Sequence, residues 1–286
     1  MVAGGLRDFA HKMRFSRTKC ENRYAEALPS EMLALATAVY FLHIPKTAGT
    51  TIQHLLAEKF GERIYPEGLW DNLWNENFSP LDNWDVFWGH FGFAFARMLG
   101  RPSWIFTFLR DPFERTISHF LHVKRDQGHP YHKYLLNKTF EEFVFDPVAV
   151  PLVYNVQSRY LAYPFSADAC GARIPPGQTT NAVSVTWELM SYGMKDDEIH
   201  SCAFTALDKI NFVGFVEHMD ESVNQLARHL DLNVGEIPKL NVSAIGNQIE
   251  DISDRARERV AKLTLIDKEL YDAARAKFTG MGALRP

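Results

Sequence analysis

The chain has 286 residues, 46% of them hydrophobic and 23% charged, enough apolar material to bury a large core and against large-scale disorder. A formal charge of −4 argues against general nucleic-acid binding, which needs a basic excess. Cys20, Cys170 and Cys202 form an odd set without CxxC spacing, so neither a disulfide framework nor a cysteine zinc site is indicated and a reducing compartment is expected.

Residues 1–30 are mixed and mildly basic (Arg7, Lys12, Arg14, Arg17, Lys19) and read as an N-terminal extension to a single domain over 31–286. The apolar stretch 32–44 is too short for the roughly 20 residues that span a bilayer. The first strand is expected at 38–43, and the run HIPKTAGTT (43–51) then breaks into a helix at 50–59 that buries Ile52, Leu55, Leu56 and Phe60. A strand that turns through Lys, Gly and Thr into a helix suits a phosphate. Gly49 lets the backbone approach an anion, the first helical N–H groups point at it, and Lys46, Thr47, Thr50 and Thr51 complete the shell. An ordinary strand–turn–helix connection is the alternative at this point.

Short buried strands are expected at 85–88 and 104–109. His90 follows the first of these, at the carboxyl edge where open α/β sheets place ligands, and imidazole, with an unperturbed pKa of about 6.5, suits a general base. His43, inside the strand–loop junction, is a weaker candidate. Arg110 and Asp111 end the next strand, Pro112 suits the first position of a helix, and Phe113, Ile117, Phe120 and Leu121 recur at helical spacing. Arg110 and Ser118 then offer one charged and one neutral donor to a second phosphate, unless Arg110 simply pairs with Asp111 or Glu114. Basic residues dominate 97–138, so positive charge is local although the net charge is negative. His119, His122, His129 and His132 lack carboxylates placed to complete a metal site, and read as solvated or acceptor-contacting.

Thr139 and Glu142 have capping-box spacing. In NVQSRYLA (155–162), Asn155, Gln157 and Arg159 offer donors to a sugar hydroxyl or carboxylate, or else pack and cap a helix. Residues 164–185 form an irregular, Pro- and Gly-bearing connection that can cover an acceptor groove. A late strand is expected at 210–217, and amphipathic helices at 220–232 and 252–278. Strands alternating with helices imply an α/β fold, a parallel sheet with helices on both faces.

HIPKTAGTT and LRDPFERTISHF (109–120) together resemble the 5′-phosphosulfate and 3′-phosphate loops of sulfotransferases that use 3′-phosphoadenosine-5′-phosphosulfate. WGHF (88–91), NVQSRYLA, FVGFVE (212–217) and KLNVS (239–243) fall in the family's order, closest to the carbohydrate branch with the heparan sulfate 2-O and 6-O enzymes and many bacterial members. The resemblance implies a P-loop-like three-layer α/β/α fold with a mostly parallel sheet. It implies that Lys46, Thr47, Ala48, Gly49, Thr50, Thr51, Arg110 and Ser118 bind the donor, and that Lys46 and His90 catalyse transfer to a saccharide or glycolipid hydroxyl. Asn241 and Ser243 fall where the family closes a loop near the nucleotide. The animal enzymes' anchor and disulfides are not recognisable here, so a soluble, bacterial-type, cytoplasmic enzyme is expected.

The rival is a P-loop phosphotransferase or a nucleotide-binding module without turnover. The Walker spacing GxxxxGK[ST] puts Lys after the last Gly, whereas Lys46 precedes Gly49, and only Asp111 approaches a Walker-B position. A sulfuryl group carries less negative charge than a phosphoryl group, so Lys and N–H donors suffice and no metal is required.

Overall fold

The computed structural model describes residues 37–65, 83–90, 92–93, 95–99, 101–162, 193–234 and 252–279. The extension 1–30, the connection 164–185, Asn241 and Ser243 lie outside the described residues. In β1 (Ala38–Leu42) Ala38, Tyr40 and Leu42 enter one apolar cluster and Phe41 another, the two-residue period of a strand covered on both faces. β2 (Val86–Gly89), β3 (Ser103–Leu109) and β4 (Phe212–Phe215) repeat that split. The four pair in the order β2-β1-β3-β4, every pair parallel, with Tyr40 opposite both Phe87 and Ile105.

One face is covered by α1 (Gly49–Phe60) through Ile52, Leu55 and Leu56. After β2 comes the short α2 (Phe95–Met98), and after β3 comes α3 (Pro112–Arg125). The chain continues through α4 (His132–Leu135), α5 (Phe140–Phe145), α6 (Val156–Ala162), α7 (Asp196–Leu207), α8 (Met219–Leu230), α9 (Asp254–Leu263) and α10 (Leu265–Thr279). α8 joins α1 through Val223 and Leu226, while α6, α7 and α10 cover the opposite face through Val156, Tyr160, Ile199, Ala203, Leu270 and Ala274. The expected α/β/α layering is present. A third cluster, built by α3, α5 and α9 around Phe120, Phe143 and Val260, lies off the sheet.

Two local features depart from or refine the sequence expectation. The single helix expected over 252–278 is two, because Thr264 returns its hydroxyl to the Val260 carbonyl (2.8 Å) and leaves helical geometry at φ −120°. That break frees the Leu263 carbonyl for the Asn155 N–H (2.9 Å). In β4, a Cβ at Gly214 would stand 2.4 Å from the Phe108 ring, so only glycine lets β3 and its neighbour keep register there. Thr139 and Glu142 make the reciprocal capping box at α5.

Candidate active site

Lys46, His90, Arg110 and Glu217 each follow the carboxyl end of a parallel strand, β1 to β4 respectively, and so converge on one sheet edge. The loop from β1 to α1 holds two non-glycine residues in the left-handed region, Lys46 at φ 72° and Ala48 at φ 69°. Each such residue costs about 1–2 kcal/mol, and alternation of this kind turns backbone N–H groups toward one concavity. Thr47 is fully buried and donates its hydroxyl to the Ile44 carbonyl (2.8 Å), bracing the turn. Helix α1 begins without a side-chain cap or an acidic residue in its first turn, so its leading N–H groups are available to an anion. Thr50 is exposed on that turn and Thr51 is buried.

Gly49 has a second reason to lack a side chain. A Cβ there would lie 1.7 Å from Nε2 of His43, whose ring stacks on Phe41 (5.2 Å between centroids) and lies 4.3 Å from that of His90. His90 Nδ1 lies 2.8 Å from the His43 carbonyl oxygen. A carbonyl only accepts, so the proton sits on Nδ1 and Nε2 carries the lone pair. Burial, reinforced by Lys46 and opposed by that hydrogen bond, lowers the His90 pKa to about 4. His43 is also held neutral, by burial and then by the charges of His90 and Lys46.

Burial and the charges of Arg125, Arg110 and Arg115, opposed by Asp126, bring the Lys46 pKa down to about 8. Burial chiefly depresses His119 and His122, and the charge of Lys46 adds to it in both. Arg115, Ser118, His119 and His122 recur at three- and four-residue spacing, so one face of α3 is turned to Lys46. Ser118 on that face is 9% exposed. Arg110 is only 14% exposed; its contact with Glu114 is loose at 3.9 Å, and its Nε is buried without a hydrogen-bond partner among the described residues. Asp111 instead caps α3, accepting from the N–H of Phe113 (3.0 Å) and Glu114 (3.2 Å). The structure thus brings Lys46, the start of α1, His90, Arg110 and Ser118 to one edge.

His129 accepts from the Tyr131 N–H at Nδ1 (3.2 Å), and its ring makes edge contacts with those of His119 and His122. Burial chiefly lowers His122 and His129 to about 4, leaving a neutral imidazole patch beside the cations. Among the described residues no cluster of His, Cys, Asp or Glu is placed to hold a metal ion, and no helix is long and apolar enough to cross a membrane.

Asn155, Gln157 and Arg159 do not face a ligand. Arg159 is 1% exposed and donates to the carbonyls of Tyr154 (2.7 Å) and Pro151, while the other two cap and clamp backbone. Of their two sequence readings, packing and capping is the one realised. Glu217, two residues past the end of β4, is the site-edge residue that sequence reasoning passed over, because the strand was expected to run through it.

Residues 36–278 match the model of the sulfotransferase family, and the chain belongs to that family. No curated protein matches the chain significantly.

Proposed function

We propose that the chain transfers a sulfuryl group from 3′-phosphoadenosine-5′-phosphosulfate to a hydroxyl of a saccharide or glycolipid, as a bacterial-type cytoplasmic member of the carbohydrate branch. The observation that carries this reading is the pair of largely buried cations, Lys46 and Arg110, on one sheet edge. Burial and three guanidiniums lower the Lys46 pKa to about 8, so it still carries its charge at neutral pH, and Arg110 keeps a buried Nε without a hydrogen-bond partner among the described residues, as expected of groups built for two separated anionic centres. The N–H groups of α1 with Lys46 suit the 5′-phosphosulfate, and Arg110 with Ser118 the 3′-phosphate.

The donor supplies the activated sulfuryl group. Lys46 and the loop N–H groups stabilise the charge that grows on the departing phosphate oxygen, and His90 Nε2 takes the acceptor's proton. The neutral imidazoles of His122 and His129 suit a hydroxyl acceptor rather than a further anion. Neutral donors and acceptors bind a sugar without adding to the charge that Lys46 already bears.

A thermal-shift comparison tests the donor. Adenosine 3′,5′-bisphosphate raises the melting temperature by mass action, by about 2.7 kcal/mol of stabilisation at one hundred times its dissociation constant. Stabilisation by ATP with magnesium and none by the bisphosphate overturns the reading in favour of a phosphotransferase.

A further inference from the structure

The polar groups of Asn155, Gln157 and Arg159 that a sugar could have met are used inside the protein, and one of them, Gln157, holds the backbone of Arg110. The Gln157 side chain spans that residue: its amide oxygen accepts from the Arg110 N–H (3.0 Å) and its amide nitrogen donates to the Arg110 carbonyl (2.8 Å). The next N–H, of Asp111, donates to Glu217 Oε1 (2.8 Å). Beyond the last β3 pair, Leu109 with Phe215, side chains therefore replace the sheet ladder.

Both arms are anchored on α10, one turn apart. Asp267 accepts from the N–H groups of Gln157 (3.1 Å) and Ser158 (2.7 Å), and the Tyr271 hydroxyl donates to Glu217 Oε2 (2.8 Å). Asn155, at φ 41°, completes the joint by accepting from the N–H groups of Ile266 (3.0 Å) and Asp267 (3.3 Å). The starts of α6 and α10 thus cap each other. Gln157 and Asp267 are both 0% exposed. Two helices could pack with apolar residues at lower desolvation cost, so what this polar joint adds is a fixed direction.

We propose that Gln157 and Asp267, with Tyr271 acting through Glu217, are positioning residues that aim Arg110 at the donor's 3′-phosphate, so that α10 sets which nucleotide is accepted. This rests on the donor reading above. Displacement of a bound anion's partner by even an ångström is costly, and these contacts prevent it without touching the ligand.

Calorimetric titration of the full chain with adenosine 3′,5′-bisphosphate and with adenosine 5′-monophosphate tests it. The wild type prefers the bisphosphate. Gln157→Leu keeps the bulk, removes both hydrogen bonds, and lowers bisphosphate affinity about tenfold while monophosphate affinity stays within about twofold. Tyr271→Phe, which deletes one hydroxyl and decides the matter if the first variant fails to fold, shifts the ratio in the same direction by about threefold. A general structural role would lower both affinities together. Variants that fold and keep the wild-type ratio, or lose both nucleotides in proportion, overturn the positioning role alone. Wild-type protein that binds neither nucleotide, or does not tell them apart, overturns the donor reading and the positioning role with it.

Discussion

At His90 the tautomer and the pKa pull in different directions. The His43 carbonyl leaves Nε2 free to accept a proton, yet burial beside Lys46 lowers the pKa to about 4, well under the 6.5 of a free imidazole. The group is therefore deprotonated and ready throughout the neutral range, while Lys46, at about 8, must keep its proton to bind an anion. The sign follows for each. Activity through His90 is lost as pH falls toward 4, and donor binding through Lys46 is lost as pH rises above 8. The kcat/KM profile is expected to be flat between about pH 5 and 7, with no inflection near the pKa of an ordinary histidine. His90→Ala is expected to keep bisphosphate binding and to lower kcat by about two to four orders of magnitude. An inflection near pH 6.5 that persists in His90→Ala would place the base elsewhere.

Among the elements, the loop between β1 and α1 shows what sequence can and cannot disclose. Lys46, Gly49 and the following helix were legible because residue type and hydrophobic period declare a strand–turn–helix, and Pro112 after Arg110 declared α3. The ring of His43 above Gly49 was not legible, because nothing local says where a side chain folds back. The break at Thr264 was hidden for a similar reason: the apolar period runs on through it, and the carbonyl it frees is taken by the N–H of Asn155, more than a hundred positions away. Asn155, Gln157 and Arg159 look alike as ligand or scaffold until burial is known. Gly49→Ala tests the loop directly. The added methyl meets a ring hemmed by Phe41 and His90, so a loss of about 1–3 kcal/mol in stability is expected, together with weaker nucleotide binding. Chemical denaturation measures the first and calorimetry the second. A fully stable variant with normal nucleotide affinity would mean that His43 has another place to go.

For the whole molecule the net charge of −4 conceals a sheet edge crowded with cations and a set of histidines that the fold keeps neutral. His90, His122 and His129 are each lowered from 6.5 to about 4, chiefly by burial, and His43 and His119 are also well below the ordinary value. The unfolded chain therefore binds more protons than the folded one between those limits. Stability from these groups is complete above pH 6.5 and is lost as pH falls toward 4. Asp267 acts in the opposite sense, since burial raises its pKa and favours folding of the protonated form, but it is one carboxyl against several imidazoles. Each neutral histidine adds a slope of up to about 1.4 kcal/mol per pH unit, less for the more exposed His122. The melting temperature is thus expected to fall steadily as pH is lowered from 6.5 to about 4.5, before most carboxylates titrate. His122→Gln with His129→Gln is expected to make that decline shallower. A melting temperature that stays level over the same interval would show that these imidazoles take up protons in the folded protein, and would remove the basis for a neutral acceptor patch beside Lys46.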